Sequence, residues 1–204
     1  MKVLYIESKL KGTGFELSKK EISKLPKKLF LAYSIQYKDL AQGIKKQLSG
    51  YNITVSGFRQ VLGCSKIKSD VPVFLVGSGR FHAVNLYLQV PDVYLLEGSK
   101  IVKVSKSEVE DVVRRKKVAL MKFLKADNVG ILVSTKPGQE RMKKAEELKV
   151  KLEKKGKEAW IFVCDNVDVG QFENFNIDSW VNSACSGLAN DNSDVININE
   201  LPTV

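Results

Sequence analysis

Three cysteines are the residues of this sequence most able to do chemistry. Cys64 follows Gly63, and Cys185 lies in Ala184-Cys185-Ser186-Gly187, so both stand beside small residues. A buried core thiol is the alternative interpretation of Cys64, and it is the expectation for Cys164, which ends an apolar run. No CxxC pair is present, which excludes zinc ribbons and thioredoxin-like chemistry. Single thiolates from separate domains can still bind one iron–sulfur cluster.

Two glycine-containing loops are candidates for ligand binding. Gly77-Ser78-Gly79-Arg80-Phe81-His82 follows an apolar run, and its glycines allow close backbone approach while the next helix start favours an anion. It is not the dinucleotide fingerprint, because His82 stands where a third glycine is needed. The lone histidine has a structural alternative. Ser134-Thr135-Lys136-Pro137-Gly138-Gln139 fits a carboxylate-binding turn or an ordinary strand-to-helix connection.

Short apolar runs alternate with helical patterns along the whole chain. They predict strands at residues 3–6, 28–33, 53–55, 71–76, 93–96, 129–133, 159–163 and 180–181. Helices are predicted between them, with capping boxes at Ser18/Glu21 and Ser107/Glu110. The second of these helices is expected to link two domains. The polar tail from Asn190 is predicted to be a loop.

This alternation predicts an α/β fold of two similar small domains, each a parallel sheet flanked by helices. The expected boundaries are an N-terminal segment at 1–27, one domain at 28–106 and another at 107–204. The two domains are read as distant repeats of one unit. Ligands bind at the carboxyl ends of strands in such sheets, where the cysteine and glycine loops fall.

Composition and charge narrow the function classes. The 204 residues are 44% hydrophobic and carry a net charge of +10. No apolar run is long enough for a membrane span, and three cysteines do not suggest a disulfide framework, so a cytoplasmic protein is expected. The charge fits solvated helix faces or an acidic partner. The basic stretches lack aromatic residues for base stacking, so no direct nucleic-acid contact is required.

Several motifs together resemble one family. Leu62-Gly63-Cys64, the Gly77 to His82 loop and Ala184-Cys185 are similar to signature stretches of the diphthamide synthase family, the 2-(3-amino-3-carboxypropyl)histidine synthases of archaea and eukaryotes. Ser34-Ile35-Gln36 and Gly138-Gln139 resemble two further family turns. The resemblance covers residues 28–192, which corresponds to the second and third of three domains. Residues 3–10 resemble the end of the first.

The resemblance implies an archaeal or eukaryotic cytoplasmic transferase with a 4Fe-4S cluster held by one cysteine from each domain. S-adenosylmethionine binds the unique iron, its Cγ–S bond is cut, and the 3-amino-3-carboxypropyl radical adds to a histidine of translation elongation factor 2. By position, Cys64 and Cys185 are the implied metal ligands, and Cys164 matches none. No catalytic side chain beyond these ligands is predicted.

The resemblance also implies a set of residues that bind S-adenosylmethionine. Glycines would line the pocket, Arg80 would pair with a carboxylate, His82 would orient the loop, and glutamine turns would hold the methionine end of the cofactor. The set is Gln36, Gly77, Gly79, Arg80, His82, Gly138 and Gln139.

Two departures from the family pattern give competing hypotheses. The first-domain cysteine has no counterpart here, which favours a split enzyme in which another chain, or a homo- or hetero-oligomer, completes the site. Ser186-Gly187 replaces the family's Pro-Arg, which favours a non-catalytic accessory or regulatory partner of a full synthase. A binding module for RNA or the ribosome is the third hypothesis. The catalytic hypothesis requires Cys64 and Cys185 to face one shared hollow.

Overall fold

The computed structural model describes residues 4, 6–8, 10, 15–63, 65–189 and 192–202. The chain divides into two compact units, Met1–Val109 and Glu110–Val204. The boundaries expected after residues 27 and 106 stay predictions. Among the described residues, no helix is both long enough and apolar enough to cross a membrane.

The first unit is built on a five-stranded sheet. Its strands and helices are α1 (Lys19–Ile22), β1 (Lys28–Tyr33), α2 (Lys38–Ser49), β2 (Thr54–Gln60), β3 (Val73–Val76), α3 (Arg80–Tyr87), β4 (Val93–Glu97) and β5 (Lys100–Lys103). The order is β2-β1-β3-β4-β5, with β5 antiparallel to β4 and the other pairs parallel. All four residues of β3 are buried, as expected for a strand covered on both faces.

The second unit repeats this arrangement. It contains β6 (Asn128–Ser134), α5 (Met142–Lys154), β7 (Glu158–Cys164), β8 (Ser179–Asn182) and β9 (Val195–Asn197), and the order β7-β6-β8-β9 is parallel throughout. Helix α4 (Lys106–Lys125) spans the division between the two units. The predicted α/β class with two parallel-dominated sheets is therefore confirmed.

The same winding occurs in both sheets and produces the same reversal point. In each unit the first strand is central, the second lies on one side, and the third and fourth lie on the other. The order in which strands are added to the sheet therefore reverses between β1 and β3 in the first unit. It reverses between β6 and β8 in the second. Ligands of open parallel sheets bind at this reversal, beyond the carboxyl ends of the strands.

Some predicted elements differ from the structure. β5 and β9 were not predicted, and β9 makes part of the tail a strand rather than a loop. The predicted cap of α4 at Ser107 is wrong, because Ser105 caps the helix by accepting from the Glu108 amide at 3.4 Å. Of the predicted strand at residues 3–6, residues 3 and 5 lie outside the described residues. Residues 4 and 6 belong to no strand.

A buried glutamate joins α1 to the edge of the first sheet. Ser18 caps α1 as predicted, accepting from the Glu21 amide at 3.3 Å. The Glu21 carboxylate accepts instead from the Ile101 amide of β5 at 2.5 Å and from the Lys24 ammonium at 2.7 Å. These bonds lower the pKa of Glu21, the Ile101 amide being the largest cause. Leu17, Ile22 and Leu25 then complete the core beside β1.

A glycine opposite a buried aromatic residue gives a stability prediction for the second unit. Gly130 of β6 is paired with Trp180 of β8, and a Cβ at Gly130 would overlap the Trp180 ring. We expect Gly130→Ala to lower the free energy of unfolding by about 1–3 kcal/mol, because overpacking forces the ring or the strand to shift. Urea denaturation followed by circular dichroism measures the change.

Ser179→Ala is the matched control for this prediction. Ser179 lies beside Trp180, is fully buried, and its hydroxyl has no hydrogen-bond partner among the described residues. Its removal should leave the unfolding midpoint nearly unchanged. Equal midpoints for Gly130→Ala and Ser179→Ala would contradict the packing argument.

Candidate functional site

The reversal point of the first unit is formed by the backbone that follows β1 and β3. Ser34, directly after β1, donates its amide to the Val76 carbonyl at 3.1 Å. A Cβ at Gly77 would lie 2.9 Å from the Ser34 hydroxyl oxygen, so the two loops approach too closely for a side chain there. Gly79, which precedes α3, has a φ of 97°, a left-handed conformation that favours glycine.

An apolar cleft of about 640 Å³ opens at this reversal point. Predicted residues Gly77, Gly79 and Arg80 all line it. Gln36 is exposed in the short 3₁₀ helix Ile35–Tyr37 and does not line it, although its neighbour Tyr37 does. Sequence reasoning missed the apolar lining, which comes from several segments: Leu10, Phe15, Tyr37, Leu40, Leu95 and Leu96.

Arg80 at the cleft is held between two carboxylates. Its Nη1 lies 2.6 Å from a Glu97 carboxylate oxygen, and its Nε lies 2.6 Å from Glu108. The hydrogen bond from Arg80, followed by those from Ser105, lowers the pKa of Glu108 to about 2, and Glu108 in turn raises the pKa of Arg80. A guanidinium has five N–H donors, so the group keeps donors for a further acceptor.

His82 is half-buried on the first turn of α3. Burial lowers its pKa, which favours the neutral imidazole. Its buried Nδ1 has no hydrogen-bond partner among the described residues, and a Cβ at Gly79 would lie 3.5 Å from it. The His82 ring therefore lies next to Gly79 of the glycine loop.

Helix α3 also holds the loop that carries Cys64. A Cβ at Gly63 would overlap the Phe81 ring. One helical turn later, the Asn85 amide donates to the Gly63 carbonyl at 3.0 Å. Just beyond the end of α3, the Gln89 side chain accepts from the Ile67 amide at 3.1 Å and donates to the Ser65 carbonyl at 3.3 Å. Cys64 itself lies outside the described residues, so the predicted shared hollow with Cys185 stays a prediction.

The reversal point of the second unit carries Cys185. Its thiol is exposed, although the four residues before it are buried. The loop after β6 lies on the other side of the reversal and contains Gly138, with a φ of 79°, and Gln139. The backbone amide of Gln139 donates to the Lys136 carbonyl at 3.0 Å. Gly138 and Gln139 thus share a sheet edge with Cys185 and belong to a different unit from Gly77, Gly79 and Arg80.

Cys164 differs from the core thiol that was expected. It is half-buried at the carboxyl end of edge strand β7, opposite Ser134, so the core expectation is wrong. Burial, with a smaller effect of Asp165, raises the pKa of its thiol. A protonated thiol is a poor metal ligand.

A free, exposed thiol at the reversal point fits one ligand of an iron–sulfur cluster. Within the described part of the chain, no three histidine, cysteine, aspartate or glutamate side chains gather closely enough to bind a metal ion.

Comparison with known proteins gives the family. The sequence profile of diphthamide synthesis proteins matches residues 1–199. The chain belongs to this family. That membership confirms the resemblance drawn from the Cys64, Gly77 to His82 and Cys185 motifs.

The curated relatives are longer than this chain. It is 28% identical to 2-(3-amino-3-carboxypropyl)histidine synthase of Pyrococcus horikoshii over 178 residues, which is 81% of this chain and 52% of the relative. Against the same-named protein of Methanocaldococcus jannaschii it is also 28% identical, over 81% and 46%. Subunit 1 of the Caenorhabditis elegans synthase is 25% identical over 65% and 35%. The chain spans about half the length of the first two.

The fold matches a solved structure. The crystal structure of Dph2 from Pyrococcus horikoshii with a 4Fe-4S cluster superposes with a TM-score of 0.76 at 26% identity, covering 89% of this chain and 58% of that one. A second crystal structure of Dph2 from Pyrococcus horikoshii gives the same TM-score at 25% identity, with the same coverage of both chains.

The Arg80 ion pairs predict a pH dependence of stability. Because the pKa of Glu108 is lowered to about 2 in the folded state, its contribution is complete above about pH 4.5 and is lost as the pH falls toward 2. We expect Glu108→Gln to lower the free energy of unfolding by about 1 kcal/mol at pH 7, as for a partly exposed pair, and by roughly half as much at pH 3. Urea denaturation at both pH values measures this.

Asp111→Asn tests whether the effect is specific to the Arg80 cluster. Asp111 pairs with Arg114 one turn further along α4, and both side chains are well exposed. Its substitution should cost less than about 0.5 kcal/mol at pH 7. A Glu108→Gln cost that stayed constant between pH 7 and pH 3 would contradict the assignment.

Proposed function

We propose that this chain supplies two α/β units of a 2-(3-amino-3-carboxypropyl)histidine synthase. In this proposal the enzyme transfers the 3-amino-3-carboxypropyl group of S-adenosylmethionine to a histidine of translation elongation factor 2, the first step of diphthamide synthesis, in the cytoplasm. The observation that carries the proposal is Cys185, an exposed thiol at the strand reversal of a fold shared with a 4Fe-4S protein.

The roles of the residues follow from their positions. Cys185 would bind one iron of the cluster, and Cys64 a second. The cluster, when bound and reduced, supplies the electron that cleaves the Cγ–S bond of S-adenosylmethionine. The apolar cleft would exclude water beside the reacting group, and the free donors of Arg80 would orient a carboxylate.

The remaining candidates would position the cofactor. Gly77 and Gly79 allow its close approach to the backbone, and neutral His82 would keep the glycine loop in place. Gln36, Gly138 and Gln139 would hold the amino and carboxylate groups of its methionine end. The glycines at 79 and 138 both adopt positive φ, which sets the direction of the following amides.

We further propose that another polypeptide segment completes the site, as in a split enzyme. Support comes from the Caenorhabditis elegans relative, which is named subunit 1 of its synthase. A cluster with three cysteine ligands needs one thiolate beyond Cys64 and Cys185.

One observation favours an accessory, non-catalytic role instead. Ser186 begins a short 3₁₀ helix, Ser186–Ala189, directly after Cys185, where the family resemblance implies Pro-Arg. A missing arginine removes one positive charge beside the proposed cluster. In that case the fold would serve docking to a complete synthase, and both cysteines would be dispensable.

Cysteine substitutions separate the two roles. This chain is co-expressed with the candidate polypeptide that carries the third cysteine and is purified without oxygen. Iron content and visible absorbance are then measured for wild type, Cys64→Ser, Cys185→Ser and Cys164→Ser. We expect the first two substitutions to remove most of the bound iron, because each deletes a thiolate ligand.

Cys164→Ser is the matched control, since its thiol is half-buried and matches no family ligand. It should keep the wild-type iron content. A colourless wild-type complex would refute the catalytic proposal. Full iron content in both ligand variants would favour the accessory role.

A further inference from the structure

Two buried asparagines lie side by side at the carboxyl edge of the second sheet. Asn182 ends β8 and Asn197 ends β9, and the two are register partners. Their exposed fractions are 2% and 4%. A buried amide is costly unless its donors and acceptors are satisfied, so the partners of these side chains matter.

Asn182 bonds to the backbone on both sides of the Cys185 Cα. Its Oδ1 accepts from the Ala184 amide at 2.9 Å, which forms a tight turn directly after the strand. Its Nδ2 donates to the Cys185 carbonyl at 2.7 Å. The second Nδ2 hydrogen goes to Asn197 Oδ1 at 2.8 Å. Both donors and the acceptor of Asn182 are therefore in use.

Asn197 extends the network by one peptide unit. Its Oδ1 accepts from Asn182, and its Nδ2 donates to the Ser186 carbonyl at 3.2 Å. Three consecutive residues, 184–186, are thus each bonded to one of two asparagine side chains. We call this arrangement of Asn182 and Asn197 the asparagine pair.

The loop combines a fixed backbone with an exposed thiol. Ser183 and Ala184 are buried, and the Ser183 hydroxyl donates to the Leu132 carbonyl at 2.8 Å, which ties the loop to β6 as well. Cys185 is the first exposed residue after this buried run. The Cys185 carbonyl directly follows the Cα that carries the thiol, and the Ala184 amide lies one peptide before it, so the backbone is held on both sides of this residue.

We propose that Asn182 and Asn197 are positioning residues that aim the Cys185 sulfur at the metal cluster in a single orientation. This inference rests on the proposed function, because it assigns a purpose to the loop only if Cys185 is a ligand. The amide group is required, because a carboxylate offers no donor to the carbonyls of residues 185 and 186. An apolar side chain would leave those carbonyls without a partner. Ligand orientation by surrounding hydrogen bonds is a general property of metal sites.

Amide hydrogen exchange, measured on the full chain without metal, tests whether the asparagine pair stabilises the loop that carries Cys185. In Asn182→Ala and Asn197→Ala, the amides of Ser183, Ala184 and Leu188 should exchange about tenfold faster than in wild type, because each of them donates a hydrogen bond that depends on the position of this loop. Amides of β6 should be unaffected. Unchanged exchange in the loop would overturn the inference.

Val129→Ala is the control for a general loss of stability. Val129 is fully buried at the amino end of β6, away from the Cys185 loop. It should lower the unfolding midpoint while leaving the exchange of the Ser183, Ala184 and Leu188 amides at the wild-type rate. If Asn182→Ala does not fold, Asn197→Ala alone decides, since it removes only the bond to the Ser186 carbonyl and the contact with Asn182.

Electron paramagnetic resonance of the reduced, anaerobically purified complex tests whether the asparagine pair orients the Cys185 sulfur. We expect both asparagine variants to give a broadened or split signal and at least a twofold loss of bound iron, and Val129→Ala to give the wild-type spectrum. Wild-type spectra in the asparagine variants overturn the positioning role.

Cys185→Ser in the same experiment separates this inference from the proposed function. A lost signal in Cys185→Ser with wild-type spectra in the asparagine variants rejects the inference alone. A wild-type signal in Cys185→Ser rejects the ligand assignment, and the inference with it.

Discussion

The position of each candidate residue depends on where parallel strands end. In both sheets the first strand is central and the winding reverses beside it, so the loops after the first and third strands diverge and leave a gap. Ser34 and Gly77 flank this gap in the first unit, and Gly138 and Cys185 follow the corresponding strands in the second. A short loop in such a gap must satisfy its own backbone polar groups, and the two units do so differently.

In the first unit Ser34 and Gly77 come close together at the reversal point, and apolar side chains line the cleft that opens there. Arg80 is paired with both Glu97 and Glu108, so these three side chains together carry one net negative charge. In the second unit the gap is polar, because asparagine and serine side chains bond the loop backbone. One scaffold therefore gives an apolar cleft in one copy and a rigid, thiol-bearing loop in the other.

The sequence predicted those parts of the fold that local patterns determine. β1 was predicted at residues 28–33 and lies at Lys28–Tyr33, because a continuous apolar run allows few alternatives. The cap of α4 was misplaced since Ser105-x-x-Glu108 and Ser107-x-x-Glu110 have the same spacing, and it is Glu108 that bonds to both Ser105 and Arg80. The strand β5 was missed because four residues with two lysines carry a weak signal.

Site residues were predictable from the sequence only where they belong to one continuous motif. Gly77, Gly79 and Arg80 come from one loop, and they do line one cleft. The asparagine pair was missed because Asn182 and Asn197 are far apart in the sequence and meet only through the register of β8 and β9. Asn197 also lies in a tail rich in asparagine and aspartate, where a buried amide does not stand out.

Helix α3 contacts two features that the chain separates. Its first turn follows Gly79 at the cleft, while Phe81, Asn85 and the nearby Gln89 hold Gly63, Ser65 and Ile67 through packing and hydrogen bonds. A ligand that displaced this two-turn helix on entering the cleft would displace that loop too. If Cys64 in this loop binds metal as proposed, thermodynamic linkage requires that occupancy of the cleft and metal binding change each other's affinity by the same factor. In that case the cleft ligand and the metal could bind in either order and give the same final complex. Only the affinity measured for the first and for the second binding step would depend on the order.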